Sequence, residues 1–161
     1  MIRELTTDDW KVFRQIRLEA LTQEPGAFAI TADEFAVLQE PALRGILANK
    51  ITYVAFDGDE PVGMMSLVPQ HLSKKHHRST LIFVYLRAAA RGRGLSKALH
   101  AAIVESARKA GLRQIELQVT AENTQAIEFY DRLGYQKVGR IPGGFLHDGR
   151  EIDEIVMALR I

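Results

Sequence analysis

The sequence predicts an α/β chain in which helices cover both faces of one mixed sheet. Three observations carry that prediction. Segments of period two alternate with segments of period 3.6, in the order β-α-α-β-β-β-α-β-α-β-β. The 161 residues suffice for one domain with a sizeable core, taken as residues 1–161, and no stretch reads as linker, repeat or low complexity. Hydrophobic residues make up 47% and charged residues 25%, the balance of a globular chain.

Each element has its own signal. Ile2 to Leu5 reads as a short strand. Thr6 is an N-cap with Asp9 as its capping-box partner, and Trp10, Phe13, Ile16, Ala20 and Leu21 then recur at helical spacing until Pro25-Gly26. Asp33 to Asn49 predicts a second helix, bent or restarted at Pro41. Ile51 to Phe56 and Val62 to Val68 form a hairpin around Asp57-Gly58-Asp59. Pro69 to Arg78 is a polar, basic loop, and Thr80 to Leu86 is an apolar strand. Gly92 to Ala110 is the longest helix, with Leu95, Leu99, Ala102, Ile103, Ser106 and Ala110 facing inward and Gly111 as its stop. Arg113 to Val119 alternates as a strand. Thr124 to Leu133 is a helix closed by Gly134. Tyr135 to Ile141 and Glu151 to Leu159 are strands around an Asp148-Gly149 turn.

Composition excludes several functions. The net charge of +1 gives no overall field toward nucleic acid or a membrane surface. With no cysteine there is no disulfide, no thiolate metal site and no cysteine nucleophile. The charged start, Met1-Ile2-Arg3-Glu4-Leu5, does not read as a signal peptide, and no apolar run approaches the roughly 20 residues of a membrane span. The expectation is a soluble cytoplasmic protein. His71 to Arg78 holds three histidines without a partner carboxylate, so it reads as a solvated loop and no metal is expected.

The most informative stretch runs from Leu86 to Lys97. A buried strand ends, a short turn follows, and a helix opens at Gly92 and Gly94 with Arg91, Arg93 and Lys97 beside it. A helix start presents about four unpaired N–H groups and a partial positive charge, which suits a pyrophosphate. A glycine-softened turn with exposed arginines is the alternative. The stretch supplies neither the G-x-x-x-x-G-K-[ST] loop nor the G-x-G-x-x-G fingerprint. Gly94-Leu95-Ser96-Lys97-Ala98 is only distantly like a nucleophile elbow, and no acid–histidine pair follows it convincingly.

Arg91-Gly92-Arg93-Gly94-Leu95-Ser96 resembles the [Q/R]-x-x-G-x-[G/A] signature of the GNAT N-acetyltransferases. Asn123-Thr124-Gln125-Ala126-Ile127-Glu128-Phe129-Tyr130, followed by Leu133-Gly134-Tyr135, resembles that family's N-x-x-A-x-x-x-Y element. Arg17-Leu18-Glu19-Ala20-Leu21 with Pro25 and Phe28 is similar to its first helix, and Asp153-Glu154 with Met157 to its last strand. Ser96 and Ala88 depart from the usual glycine or alanine and the usual proline. The resemblance implies a central mixed, mostly antiparallel sheet of about six or seven strands flanked by about four helices.

It also implies acetyl-CoA as cofactor, with coenzyme A as product. Val84 and Leu86 would bind the pantetheine arm through the backbone, the Leu86 N–H would face the developing oxyanion, and Arg91, Gly92, Arg93, Gly94, Leu95, Ser96 and Lys97 would take the pyrophosphate. Asn123 would bond the pantetheine arm, Ala126 would leave room for it, and Tyr130 would donate to the departing sulfur. Asn123 is equally a helix N-cap and Tyr130 equally an amphipathic core residue. For the base, Glu34, His77, Glu116 and Asp153 are candidates beside a water. With no cysteine and no activated serine, direct attack in a ternary complex is expected. A small-molecule amine is the expected acceptor, with a protein α-amino group, a non-catalytic acyl-CoA sensor and a hydrolase at Ser96 as rivals. Relatives are often dimers, so a homodimer is a candidate.

Overall fold

The computed structural model describes residues 1–161. Seven strands form one sheet: β1 (Ile2–Glu4), β2 (Ile51–Asp57), β3 (Glu60–Pro69), β4 (Arg78–Leu86), β5 (Gln114–Thr120), β6 (Gln136–His147) and β7 (Arg150–Arg160). Five helices flank it: α1 (Trp10–Gln23), α2 (Ala32–Ala36), α3 (Glu40–Ala48), α4 (Leu95–Lys109) and α5 (Thr124–Arg132). Across the sheet the order is β1-β2-β3-β4-β5-β7-β6. All neighbours run antiparallel except β4 and β5.

Alternation along the strands fills two cores, one per face. Val54, Met64 and Tyr85 join Phe13, Ile16, Leu21, Phe35 and Leu43 under α1 to α3, while Ala55, Met65 and Leu67 join Leu99, Ile103, Ile127 and Tyr130 under α4 and α5. Consecutive strand residues point to opposite faces, so Val54/Ala55 and Met64/Met65 serve both layers.

Three sequence expectations change. The second helix is two: Thr31 caps α2 with Glu34 in a reciprocal capping box, the helix ends after one turn, and α3 restarts with Pro41 in its first turn. Helix α4 begins at Leu95 rather than Gly92, because Gly92 and Gly94 have φ of +75° and +77°, outside the helical basin. Its buried face is Leu99, His100, Ile103 and Ala107, whereas Ala110 is exposed. Strand β6 runs on to His147, interrupted by register shifts at Lys137/Gly139 and Ile141/Phe145. The Asp148-Gly149 turn forms as read, with φ of +49° and +73°.

Two irregularities in β4 shape the site. Met64 pairs with Tyr85 and Ser66 with Ile82, so Phe83 and Val84 together oppose Met65 in a bulge. Phe83 sits there at φ +57°, a conformation an aromatic residue rarely adopts. On its other edge β4 pairs with β5 only at Arg78–Gln114, Ser79–Ile115 and Thr80–Glu116. Beyond Thr80 the two strands diverge.

Candidate active site

The divergence opens a cleft of about 760 Å³. Its walls are Thr80 to Leu86 of β4 and Leu117 to Thr120 of β5, with Arg17, Phe28, Asn123, Tyr130 and Glu154 among the residues that close it. Arg87 N–H donates to Val62 across the β3–β4 ladder at 2.8 Å. Because backbone N–H groups alternate along a strand, the Leu86 N–H is directed to the opposite edge, toward the gap.

At one end of the cleft lies the glycine turn. Gly94 is the N-cap of α4, no side chain caps the helix, and no acid occupies its first turn. The first intrahelical bond is Ala98 N–H to the Gly94 carbonyl, so the N–H groups of Leu95, Ser96 and Lys97 have no helical partner. A Cβ on Gly92 or Gly94 would meet nothing within 4 Å, which leaves this backbone open to a ligand. The arginines are less free than the sequence suggests. Arg93 pairs with Asp57 at 2.7 Å, and Arg91 pairs with Glu24 while donating to the Leu86 carbonyl. Lys97 has no ion-pair partner, but it borders the opposite side of α4. Of the turn residues, Arg91, Gly92 and Ser96 line the cleft, whereas Arg93, Gly94, Leu95 and Lys97 do not.

Val84, Leu86, Asn123, Ala126 and Tyr130 all line it. Asn123 caps α5: its Oδ1 accepts from the Ala126 N–H at 3.2 Å, leaving its amide N–H₂ unbonded. The Tyr130 ring is buried against Tyr135 and Phe129, with centroids 5.5 and 5.4 Å away. Its hydroxyl has no hydrogen-bond partner and is not sealed off, and burial pushes its pKa well above the usual phenol value.

None of the base candidates read from the sequence reaches the cleft. Glu34 is exposed, and its carboxylate accepts the Thr31 N–H of the α2 cap at 2.6 Å. Glu116 makes a two-bond pair with Arg78, which holds its carboxyl low. Asp153 is likewise held low, by the Gly143 N–H and then by Arg140. His77 lies in the loop before β4, where its carbonyl accepts the Arg113 N–H. Two acids line the cleft: Glu24, which is paired with Arg91, and Glu154 on β7, opposite Thr120 of β5 and Ile141 of β6. Glu154 is the unpaired one. It has no ion pair or hydrogen bond, and burial raises its pKa. A Cβ on Gly144 would lie 2.8 Å from its Oε1, so glycine there gives the carboxylate room. Arg17, quoted above only for its helix, is also a wall residue. Neither could be picked out by local pattern, because both depend on which strand and helix meet across the gap. No group of three or more His, Cys, Asp or Glu is clustered as a metal would need, and no helix is long and apolar enough to cross a membrane.

Comparison with known proteins agrees with this layout. Residues 4–135 match the acetyltransferase (GNAT) family. An uncharacterized N-acetyltransferase of Methanocaldococcus jannaschii is 35% identical over 86 residues, 52% of this chain, though the match spans only 38% of that protein's length. Thialysine N-epsilon-acetyltransferase of Caenorhabditis elegans is 29% identical over 116 residues, 70% of this chain and 72% of its own. Among solved structures, an acetyltransferase of the GNAT family from Streptococcus pneumoniae superposes with a TM-score of 0.89 at 22% identity, covering 100% of this chain and 99% of that one. The Salmonella typhimurium protein yncA, solved with its cofactor acetyl-CoA, gives 0.84 at 17% identity over 99% and 92%.

Proposed function

Because the chain belongs to the acetyltransferase (GNAT) family, we propose that it transfers an acetyl group from acetyl-CoA directly to the amine of a small molecule. The observation that carries this reading is the Tyr130 hydroxyl, left without a hydrogen-bond partner on a buried residue that lines the gap between β4 and β5. A packing tyrosine needs no free hydroxyl in a cleft. A leaving thiolate needs a donor there.

The groups fit acetyl-CoA in order. The open N–H groups at the start of α4 suit the pyrophosphate. The unpaired edges of β4 and β5 suit a pantetheine arm, whose amides bond like a strand. The Leu86 N–H meets the acetyl oxygen as it gains charge. The amine nitrogen attacks the acetyl carbon, the C–S bond breaks, and the sulfur leaves with a hydrogen bond from Tyr130. Since a phenol is a weaker acid than a thiol, and burial weakens Tyr130 further, that bond strengthens as charge develops rather than passing its proton outright. The amine must first lose a proton, and Glu154 is the base in this reading. Its raised pKa brings it nearer to that of an ammonium, and it has no cation to hold it.

A panel of amino acids, polyamines and short peptides with free α-amino ends, assayed for thiol release from acetyl-CoA, tests this function. Small amines should be acetylated, and Tyr130→Phe should slow the reaction. A hundredfold preference for peptides would reassign the acceptor. Tight acetyl-CoA binding without turnover on any amine would make the protein a sensor.

A further inference from the structure

Arg17 lies in α1, 3% exposed, and its guanidinium makes no hydrogen bond. Nε and Nη1 are sealed from solvent without a partner, the only such side-chain atoms in the molecule. Two aromatic rings flank the guanidinium, with centroids 4.4 Å away in Phe28 and 4.1 Å in Phe83. Neighbouring acids are already committed: Glu19 to Arg87 and Tyr85, Glu24 to Arg91. Burial lowers the Arg17 pKa only to about 10, so the group is a cation at neutral pH.

A buried cation with five N–H donors and no acceptor is a poor way to stabilise a fold. An apolar side chain of similar length would fill the same space without the desolvation cost. The ring faces offset part of that cost through cation–π attraction but accept none of the in-plane N–H groups. One of those rings, Phe83, sits in the β4 bulge in a strained conformation. The remaining nitrogen, Nη2, is not sealed, and Arg17 lines the cleft. Arg17 is seven residues, roughly two helical turns and ~10 Å, from Glu24 at the end of α1, and it is Glu24 that meets Arg91 beside the glycine turn. At the glycine turn it is Arg91, not Arg17, that stands beside the start of α4, which leaves Arg17 for a different anion.

We infer that Arg17, clasped by Phe28 and Phe83, binds the carboxylate of the acceptor, so that the substrate class is amino acids rather than simple amines. This rests on the small-molecule acetyltransferase reading and narrows it. The planar guanidinium matches a carboxylate with two parallel bonds. The surrounding Phe28, Ala29, Ile30 and Phe83 suit a compact monoanion better than a phosphate dianion, whose two charges cost more to desolvate.

The test pairs each of the common amino acids with its carboxamide, measured by kcat/KM with saturating acetyl-CoA. For the best acceptor the free acid should be favoured about a hundredfold, the scale of lost charged hydrogen bonds. Arg17→Met should reduce that preference to about threefold or less, leave the KM for acetyl-CoA unchanged, and raise or maintain the melting temperature. Arg17→Lys should recover part of the preference. Equal use of acids and carboxamides by the wild type would overturn the inference while leaving the acetyltransferase intact. So would a melting temperature lowered by several degrees in Arg17→Met together with an unaltered preference in Arg17→Lys, which would make Arg17 a structural prop. If no small amine is acetylated, the acceptor reading fails by itself. The carboxylate site is then judged by thermal shift of the coenzyme A complex with N-acetyl amino acids against their carboxamides. Stabilisation by the acids alone, lost in Arg17→Met, supports the site, and no stabilisation overturns it.

Discussion

Gly63 of β3 faces Leu86 of β4 so closely that a Cβ on Gly63 would lie 2.6 Å from Leu86 Cδ1 and 3.0 Å from the Tyr85 carbonyl oxygen. The side chain missing at 63 lets the strand carrying the Leu86 N–H press against its neighbour. Gly63→Ala should push β4 into the gap. We expect kcat to fall at least tenfold, since small displacements of an aligned donor are costly, and stability to fall by about 1–3 kcal/mol, as for other overpacked sites. A variant with wild-type kcat would show that the Leu86 backbone tolerates the shift.

Tyr130→Phe keeps the buried ring and its stacking on Tyr135 but removes the free hydroxyl. The loss should fall on the transition state, lowering kcat about 10²-fold with little change in the KM for acetyl-CoA. Unchanged rates from pH 6 to 9 would remove this residue from the chemistry.

Gly94→Ala tests the phosphate end. No atom crowds a Cβ there, so the folded chain pays only for φ of +77°, about 1–2 kcal/mol. Coenzyme A should raise the melting temperature of the wild type by mass action and do so much less for the variant. Dephosphorylated pantetheine should stabilise both weakly and alike. If pantetheine matched coenzyme A on the wild type, the turn would have no part in phosphate binding.

Glu154→Gln tests the base. The wild-type kcat/KM should rise with pH through the raised carboxyl pKa, because only the ionised form accepts a proton. The variant should lose at least tenfold at neutral pH and recover toward alkaline pH, where the free amine supplies itself. An unchanged profile would hand deprotonation to water.

His100 gives a stability test away from the cleft. Its Nε2 lies 3.0 Å from the Tyr135 hydroxyl, and burial lowers its pKa from 6.5 to about 4. Between those values the unfolded chain takes up a proton that the folded chain does not. Stability should therefore fall as pH drops from 6.5 toward 4, by at most ~3 kcal/mol from this group. Urea unfolding of wild type and His100→Gln at pH 7 and 4.5 measures it. The variant should lose less on acidification, and parallel losses would acquit the histidine.

Most of this fold is written locally. The Asp148-Gly149 turn and the capping box at Thr6 depend on residues a few positions apart, and each formed where the pattern put it, while the switch from β4 to α4 formed with the helix starting at Leu95, three residues after the expected Gly92. The break between α2 and α3 was half visible at Pro41, but the capping of α2 by Thr31 and Glu34 took one of the four residues named as candidates for the base. Arg17 and Glu154 carry no local signature. One lies in an amphipathic helix and the other in an alternating strand. Only the meeting of α1 with β4, and of β7 with β5, turns them toward a common space.

The three rungs joining β4 to β5 act as a fulcrum. From Thr80 to Leu86 is six residues, a lever arm of ~20 Å at strand rise, so a rotation of about 3° at the closed end displaces the far end by ~1 Å. The Arg78–Glu116 pair straddles that closed end, with Arg78 and Glu116 each on a rung. Small changes at this ion-paired end are therefore magnified at Leu86, where the β3 ladder alone holds the strand.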